Sequence, residues 1–191
     1  ITITGGTFVT DTVDDSIHSN SDILITSGQF DLRTGDDGIH SDTAVTIENG
    51  DFTIAYCYEG IEGLSVTIDD GTFDITSVDD GINSAGGTDS SGFGGARPGQ
   101  EQFASSSDSF ITINGGDFVI VSTGDCVDSN GTLTINNGTL DLTCNGSGNT
   151  AIDCDGTYTN NGGDVTTNDG SENNLGQMGG QGGMGQGRGG H

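Results

Sequence analysis

The sequence of 191 residues lacks tryptophan and lysine, and it contains one proline and three arginines. Against these arginines stand 29 acidic residues, which give a formal net charge of -26. So negative a chain does not suit binding to nucleic acid or docking on an anionic membrane. No hydrophobic run approaches the roughly 20 residues of a membrane-spanning helix, which argues against membrane insertion. Cations are the partners that this composition favours.

Large hydrophobic residues are also scarce, because hydrophobic residues make up only 29% of the chain while 36 residues are glycine. Such chains are often disordered, since they bury too little apolar surface. A repeated phrase of the form I-T-x-x-G-x-F argues against disorder here. Its marker glycine recurs at intervals of 22, 22, 21, 45, 22 and 25 residues. The marker glycines are Gly6, Gly28, Gly50, Gly71, Gly116, Gly138 and Gly163.

Each copy of the phrase alternates β-branched with polar residues, turns at glycine and continues into a second short strand. Repeats of this length predict an all-β fold, a parallel β-solenoid of about seven rungs of 21–25 residues. We expect the solenoid to cover residues 1–170. The long interval is explained by a loop insertion at residues 87–108, which contains Pro98, and residues 171–191 form a glycine-rich tail.

Residues that recur once per rung form columns whose members lie about 4.8 Å apart along the axis. Two apolar columns are expected to point inward and form the core. The first column is Phe8, Phe30, Phe52, Phe73, Phe118, Leu140 and Val165. The second column is Ile3, Ile25, Ile47, Ile68, Ile113 and Ile135.

Polar columns arise from an acidic phrase, GDDGIHSD at residues 35–42, which returns as VDDGINSA at residues 78–85. Aligned copies of this phrase predict three polar columns, most of whose members offer oxygen ligands. The first is Asp14, Asp36, Tyr58 and Asp79. The second is Asp15, Asp37, Glu59, Asp80 and Asp125. The third is His18, His40, Glu62, Asn83, Asp128 and Asp153.

Stacked carboxylates need a counter-ion, because two of them about 5 Å apart repel by about 3 kcal/mol at an effective dielectric constant of 20. No lysine or arginine lies in these columns, and hard oxygen ligands suit calcium better than zinc. We therefore predict bound Ca²⁺ between rungs two and five. The alternative is that the acidic phrases are only solvated turns. The predicted ligands are Asp36, Asp37, Glu59, Glu62, Asp79, Asp80, Asn83, Asp125 and Asp128.

The histidines and the cysteines could also bind metal ions, but their patterns are less specific. His18 and His40 share a column, but two histidines without a third clear ligand indicate a surface ladder rather than a transition-metal site. The four cysteines fit an oxidising, extracellular compartment. Two of Cys126, Cys144 and Cys154 are close enough in rung number to form a disulfide, and free buried thiols are the alternative.

The phrases YEGIEG at residues 58–63, VTIDDGTFDI at 66–75 and VDDGINSAGG at 78–87 closely resemble carbohydrate-binding β-helix domains of the pectate-lyase-like superfamily. The resemblance is strongest from about residue 35 to 160. It implies a right-handed parallel β-helix on a secreted or surface protein, with bound calcium and with affinity for cellulosic and pectic polysaccharides. Calcium ligands in that family fall on the acidic turn phrases, which here are Asp36, Asp37, Glu59, Glu62, Asp79 and Asp80.

Catalysis is not expected, although relatives of pectate lyase invite an elimination mechanism. In that mechanism calcium acidifies a proton of the uronate sugar and an arginine or lysine removes it. Only Arg33 lies on the predicted body, because Arg97 falls in the insertion and Arg188 in the tail. Glycan stacking would use the aromatic residues outside the core column. These are Tyr56, Tyr58, Tyr158, Phe93 and Phe103.

The first copy of the repeat begins within a strand and has no capping element before it, so we expect the chain to be processed or excerpted. Unpaired backbone groups at such an end favour head-to-tail stacking into a filament, along which the glycine-rich tail is small enough to lie. We therefore expect an extracellular, calcium-stabilised fibre subunit. The alternative is a monomeric module that binds cellulosic or pectic polysaccharides.

Overall fold

The computed structural model of the protein describes residues 1–85 and 108–173. These residues form sixteen strands and one short 3-10 helix, Ser171–Asn173. The predicted insertion, apart from Asp108, and the tail after residue 173 lie outside the described residues. The strands are β1 (Thr2–Thr12), β2 (Ile17–Ser19), β3 (Ile23–Thr34), β4 (Ile39–Ile47), β5 (Asp51–Cys57), β6 (Ile61–Ile68), β7 (Thr72–Ser77), β8 (Ile82–Ser84), β9 (Phe110–Ile113), β10 (Asp117–Ser122), β11 (Val127–Ser129), β12 (Thr132–Ile135), β13 (Thr139–Cys144), β14 (Ile152–Cys154), β15 (Tyr158–Asn160) and β16 (Asp164–Thr167).

The strands pair in parallel and stack rung on rung, which confirms the predicted β-solenoid of about seven turns. The first six rungs each contribute to three ladders, and the seventh rung contributes to two. The acidic ladder runs through β2, the starts of β4 and β6, β8, β11 and β14. The isoleucine ladder runs through the starts of β1 and β3, the ends of β4 and β6, β9, β12 and β15. The phenylalanine ladder runs through the ends of β1 and β3, β5, β7, β10, β13 and β16.

The predicted phenylalanine column is confirmed as a continuous stack of rings. Neighbouring ring centroids from Phe8 to Phe118 lie 4.5 to 4.9 Å apart, and the ring planes differ by no more than 5°. Leu140 and Val165 continue the column in register. The marker glycines are explained by these rings: a Cβ at Gly50 would lie 2.7 Å from the Phe52 ring, and the backbone there has φ of 154°.

The isoleucine column is confirmed too, and its buried members pack with the phenylalanine column into one core. The long repeat interval does not disturb the stack, because Phe73 pairs directly with Phe118 and Ile68 with Ile113. The rungs on either side of residues 86–107 are therefore adjacent and in register. Within the two described ranges, no helix is long and apolar enough to cross a membrane.

Candidate functional site

The acidic ladder brings the predicted polar columns together. Its third column pairs in register from His18 through His40, Glu62, Asn83 and Asp128 to Asp153. Close stacking of the turns makes this possible, since a Cβ at Gly60 would lie 2.3 Å from the carbonyl oxygen of Gly81. The sequence period of about 22 residues therefore places side chains from successive turns at strand spacing.

In the second column, several carboxylates each accept a hydrogen bond, through one oxygen, from a backbone amide of the next rung. Asp15 Oδ1 accepts a hydrogen bond from the Asp37 amide at 3.0 Å, and Asp37 Oδ1 accepts one from the Glu59 amide at 3.0 Å. Asp80 Oδ1 does the same for the Asp125 amide at 2.7 Å. These bonds hold the turns together and orient the carboxylates. This structural role was not predicted from the sequence, where the acidic phrases were interpreted as calcium ligands or as solvated turns.

Asp37, Glu59 and Glu62 form the most buried acidic cluster, with ligand oxygens within 4.8 Å of one another. Burial, together with the charges of Glu62 and Asp37, raises the pKa of Glu59 well above its usual range. Burial also raises the pKa of Glu62 to about 7, although its hydrogen bond with His40 acts in the opposite direction. Full ionisation of the cluster is therefore unfavourable without a cation.

Asn83 contacts this cluster from the next rung. Its Nδ2 donates a hydrogen bond to Glu59 Oε2 at 3.0 Å, while its Oδ1 is buried and has no hydrogen-bond partner. A buried acceptor without a donor is unusual in a folded protein. Carboxylate and amide oxygens together are the donor set that Ca²⁺ prefers, so the residues present fit a calcium ion.

In the described part of the chain, His40 is the basic side chain that contacts this cluster. Its Nδ1 lies 2.6 Å from Glu62 Oε2 and 3.2 Å from Asp37 Oδ2, and its Nε2 lies 3.4 Å from Asp42 Oδ1. Burial alone lowers the pKa of His40, but the hydrogen bonds with Asp37 and Glu62 outweigh burial and raise it to about 11. The side chain is only 1% exposed. The expectation of a surface ladder is therefore wrong for His40, because neighbouring acids enclose it.

The remaining predicted ligands fall into other groups. Asp36 lies with Asp14 and Asp15, which the predicted ligand set omitted. Asp125 and Asp128 lie with Asp153, another omission. All three omitted residues stand in the predicted columns, so a wider choice of rungs would have included them.

Asp79 and Asp80 belong to no cluster of three metal-ligand side chains in the described part of the chain. Asp79 Oδ2 instead accepts a hydrogen bond from the Tyr58 hydroxyl at 2.5 Å. Burial, followed by the charges of Asp128 and Asp79, raises the pKa of Asp80 to about 9. Both carboxylates lie against Gly124, where an added Cβ would meet their Oδ1 atoms within 2.5 Å.

The outer surface of the phenylalanine ladder forms a second candidate site, an open groove of about 520 Å³ across β5, β7, β10 and β13. Exposed aspartate, threonine and valine side chains line it above the buried phenylalanine rings. The exposed lining residues are Asp51, Thr53, Thr72, Asp74, Asp117, Val119, Thr139 and Asp141. We refer to this surface and its continuation on β1, β3 and β16 as the open face.

Tyr56 stands on the open face beside Arg33, its partner in the neighbouring strand. The Tyr56 side chain is 45% exposed, and the Arg33 guanidinium carbon lies 5.4 Å from the ring centroid. Tyr58 and Tyr158 are half-buried, whereas Phe93 and Phe103 lie outside the described residues. Tyr56 is thus the most exposed of the predicted stacking residues that the structure describes. Among the residues that the structure describes, Arg33 is also the only arginine or lysine.

All four cysteines lie in the described part of the chain, and all are free. Cys57, Cys126 and Cys144 are buried and Cys154 is partly buried. Cys144 Sγ donates to the Gly124 carbonyl at 3.2 Å, and Cys126 Sγ lies 3.0 Å from the Ser122 hydroxyl. Of the two alternatives that the sequence left open, the structure therefore has free thiols.

A family model described as "Carbohydrate-binding domain-containing protein" matches residues 36–176. These residues include the Asp37, Glu59 and Glu62 cluster and most of the open face. Comparison with curated proteins and with solved structures gave no match. The narrower resemblance to the pectate-lyase-like superfamily stays a prediction. Because the family match spans well over half of the sequence, the chain belongs to the family of carbohydrate-binding domain-containing proteins.

Proposed function

We propose that the protein is a non-catalytic module that binds polysaccharide along the open face. The observation that carries this proposal is the family match, which covers the strands that form the groove. The groove runs across neighbouring rungs, so a linear polymer lying on it would meet a row of side chains with one aspartate about every 4.8 Å. A solenoid suits this task because its surface repeats with the same regularity as its core.

Neutral glycans are the ligands that the charge of the open face favours. Exposed carboxylates accept hydrogen bonds from sugar hydroxyls, and hydrogen bonds to a charged acceptor are stronger than those between neutral groups. Tyr56 offers a ring against which a sugar can stack. A polyanionic pectic chain would be repelled by the same carboxylates unless calcium bridged the two. We therefore expect pectic polymers to bind only in the presence of calcium.

The absence of catalysis is part of the proposal. Arg33 is the only arginine or lysine in the described part of the chain, and it lies over Tyr56 on the open face. A base in an elimination must lie within hydrogen-bond reach of the proton that it removes. An assay for unsaturated uronates released from polygalacturonate is expected to detect no product.

We further propose that Ca²⁺ binds at Asp37, Glu59 and Glu62 with the Asn83 Oδ1 atom. The ion would neutralise buried carboxylates and supply the partner that Asn83 Oδ1 lacks. Its role in this proposal is structural, because it ties three successive rungs together. A secreted or cell-surface location is the matching proposal for a protein whose ligand is an extracellular polymer.

The fibre hypothesis stays a prediction. Head-to-tail stacking is compatible with a glycan-binding surface, since stacking would use the ends of the solenoid and leave its sides open. The family match supports polysaccharide binding instead. Negative-stain electron microscopy with calcium and after chelation separates the two hypotheses: filaments that fray on chelation support the fibre, whereas dispersed particles in both conditions contradict it.

Glycan binding is tested by pull-down on insoluble cellulose and by calorimetry with a soluble neutral β-glucan and with polygalacturonate. We expect retention on the neutral polymers with and without chelator. Tyr56→Ala should weaken binding by about fivefold, because stacking of an aromatic ring contributes about 1 kcal/mol. Asp74→Ala should also weaken binding, whereas Glu48→Ala, an exposed acid away from the open face, should not. Equal binding by all variants, or no binding to any polymer, would contradict the proposal.

A further inference from the structure

The exposed aspartates of the open face form a zigzag along the axis of the solenoid. Asp51 and Asp117 stand in one column with Thr72 between them, and Asp74 stands in the neighbouring column on the rung of Thr72. Successive aspartates therefore differ by one rung, about 4.8 Å, along the axis and by two residues, about 6.6 Å, along the strands. From the second rung to the seventh, the members of the zigzag are Asp31, Asp51, Asp74, Asp117, Asp141 and Asp164.

These carboxylates have no cationic partner within the described part of the chain. The ion pairs there all involve histidines of the acidic ladder, and Arg33 lies against the ring of Tyr56. Among the described residues, Asp51 alone of the six accepts a side-chain hydrogen bond, from the Thr72 hydroxyl at 2.9 Å. All six side chains are exposed, and four of them line the groove, so a ligand in the groove can reach them.

A single metal ion does not fit this arrangement. Ca²⁺ holds its oxygen ligands at about 2.3 to 2.6 Å, so two ligand atoms of one ion stand no more than about 5 Å apart. Successive aspartates of the zigzag are about 8 Å apart at the strand spacings given above. None of the six belongs to a group of metal-ligand side chains in the described residues. The face therefore suits a ligand that carries several positive charges at regular intervals.

A polymer of β-1,4-linked amino sugars has this pattern of charge. In its extended form each sugar is turned over relative to the one before, so the amines project from opposite edges of the chain in alternation. The length of one such sugar is close to the rung spacing, and exposed aspartate side chains can rotate to follow the small difference. Compared with a neutral glycan of the same backbone, each protonated amine adds a charge-assisted hydrogen bond to a carboxylate.

We propose that the open face binds a polymer of amino sugars lengthwise, with successive protonated amines against aspartates of alternating columns. This inference rests on the proposed function, because it names a ligand class for the same face. A basic peptide would offer the same kind of charge, but the family match favours a sugar polymer. Ion pairs at exposed sites are individually weak, so the affinity comes from several of them together and decreases with salt.

Calorimetry with three β-1,4-linked hexasaccharides tests the proposal: the glucosamine hexamer, its N-acetylated form and cellohexaose. The titrations are made at low salt and slightly acidic pH, where the sugar amines are protonated and ordinary carboxylates are ionised. We expect the glucosamine hexamer to bind at least about tenfold more tightly than the other two, because only it forms ion pairs. High salt should remove this advantage.

Two double variants separate local contacts from net charge. Asp74→Asn with Asp117→Asn should lose most of the advantage of the glucosamine hexamer and change the affinity for cellohexaose much less. The matched control, Glu48→Gln with Asp155→Asn, removes the same charge from exposed positions outside the open face and should keep the advantage. Equal behaviour of the two double variants would overturn the proposal.

A third variant tests the alternation itself. Asp51→Thr with Thr53→Asp keeps the net charge but moves one carboxylate into the column of Asp31 and Asp74. We expect the glucosamine hexamer to bind this variant several-fold more weakly than the parent protein. Unchanged affinity would show that the zigzag is not what the ligand contacts.

The outcomes for the parent protein distinguish this inference from the proposed function. Binding of cellohexaose without a preference for the glucosamine hexamer contradicts only the inference, whereas no binding of any hexasaccharide contradicts the proposed function as well. A hexamer of lysine serves as the peptide control. If it binds as tightly as the glucosamine hexamer and loses affinity in the same variants, the face captures polycations in general and the assignment to amino sugars is overturned.

Discussion

Two arrays of carboxylates run along this solenoid, and they are arranged in opposite ways. On the open face each rung from the second to the seventh carries one aspartate, which alternates between two neighbouring columns. The alternating residues are Asp31, Asp51, Asp74, Asp117, Asp141 and Asp164. On the acidic ladder, by contrast, acids stand directly above one another, as Asp15, Asp37 and Glu59 do.

This difference separates carboxylates that solvent can accommodate from carboxylates that need a partner. Along either column of the open face a threonine, valine or glutamine stands next to each aspartate, so like charges are about two strand spacings apart. Those side chains are exposed, and water and salt screen them. On the acidic ladder Asp37, Glu59 and Glu62 are adjacent and buried, and His40 is the basic side chain in the described part of the chain that contacts this cluster. Buried carboxylates therefore lie close together where the sequence stacks acid on acid.

Removal of calcium should produce the largest difference between the acidic ladder and the open face. In a thermal unfolding experiment, saturating Ca²⁺ should stabilise the protein by about 4 kcal/mol relative to chelator if the ion is present at about 1,000 times its dissociation constant. For a chain of this size that corresponds to a rise in Tm of about 10 °C.

Glu59→Gln is the variant that tests the calcium site. It removes a buried charge and a ligand, so we expect a more stable protein in chelator and a much smaller gain from calcium. Asp74→Asn, on the open face, should retain the full gain. A Tm that does not respond to calcium, or an unchanged response in Glu59→Gln, would contradict the site.

The pH dependence of the chelated protein should be the next largest effect. Burial raises the pKa of Glu62 to about 7 and of Asp80 to about 9, so the folded state binds more protons than the unfolded state above the usual pKa of these acids. The neighbouring acids also raise the pKa of His40 to about 11, which acts in the same direction above its usual pKa. Stability should therefore fall as the pH rises from about 5 to about 9.

Calcium changes this expectation, because it binds the deprotonated carboxylates. With saturating Ca²⁺ the fall in Tm with pH should flatten. Thermal melts at several pH values, each recorded with chelator and with calcium, measure both slopes. A chelated protein that becomes more stable toward alkaline pH would show that the buried acids are already compensated.

The register of the acidic ladder could be predicted from sequence, because a period of about 22 residues in parallel strands leaves little choice of pairing. The pairing of His18 with His40 and of Glu62 with Asn83 follows from that spacing alone. The burial of His40 does not, because it depends on how acids from three rungs close around one ring. The contact of His40 with Asp42 could have been predicted, because Asp42 stands two residues after His40, on the same side of strand β4.

The grouping of the calcium ligands was predictable only in part. Columns indicate which residues are neighbours, but they do not say which oxygens remain available. Asp37 and Asp80 each give one oxygen to a backbone amide, and Asp79 binds the Tyr58 hydroxyl. These bonds depend on side-chain rotamers, which repeat spacing does not encode. The predicted set therefore divided into separate clusters.

The smallest expected effect comes from making the open face resemble the acidic ladder. Thr72 stands between Asp51 and Asp117 in one column, so Thr72→Asp would place three carboxylates on adjacent rungs. Each new neighbour adds a repulsion of about 0.8 kcal/mol at the dielectric constant of water, before screening by salt. Thr72→Asn is the control, because it has the same shape and also loses the hydrogen bond from the Thr72 hydroxyl to Asp51. At low salt the Asp variant should melt about 2 to 4 °C below the Asn variant, and high salt should remove that difference. Equal Tm values of the two variants at low salt would mean that exposed carboxylates tolerate direct stacking. The alternation of aspartates on the open face would then need an explanation other than charge. Spacing for a bound glycan would be the first explanation to examine.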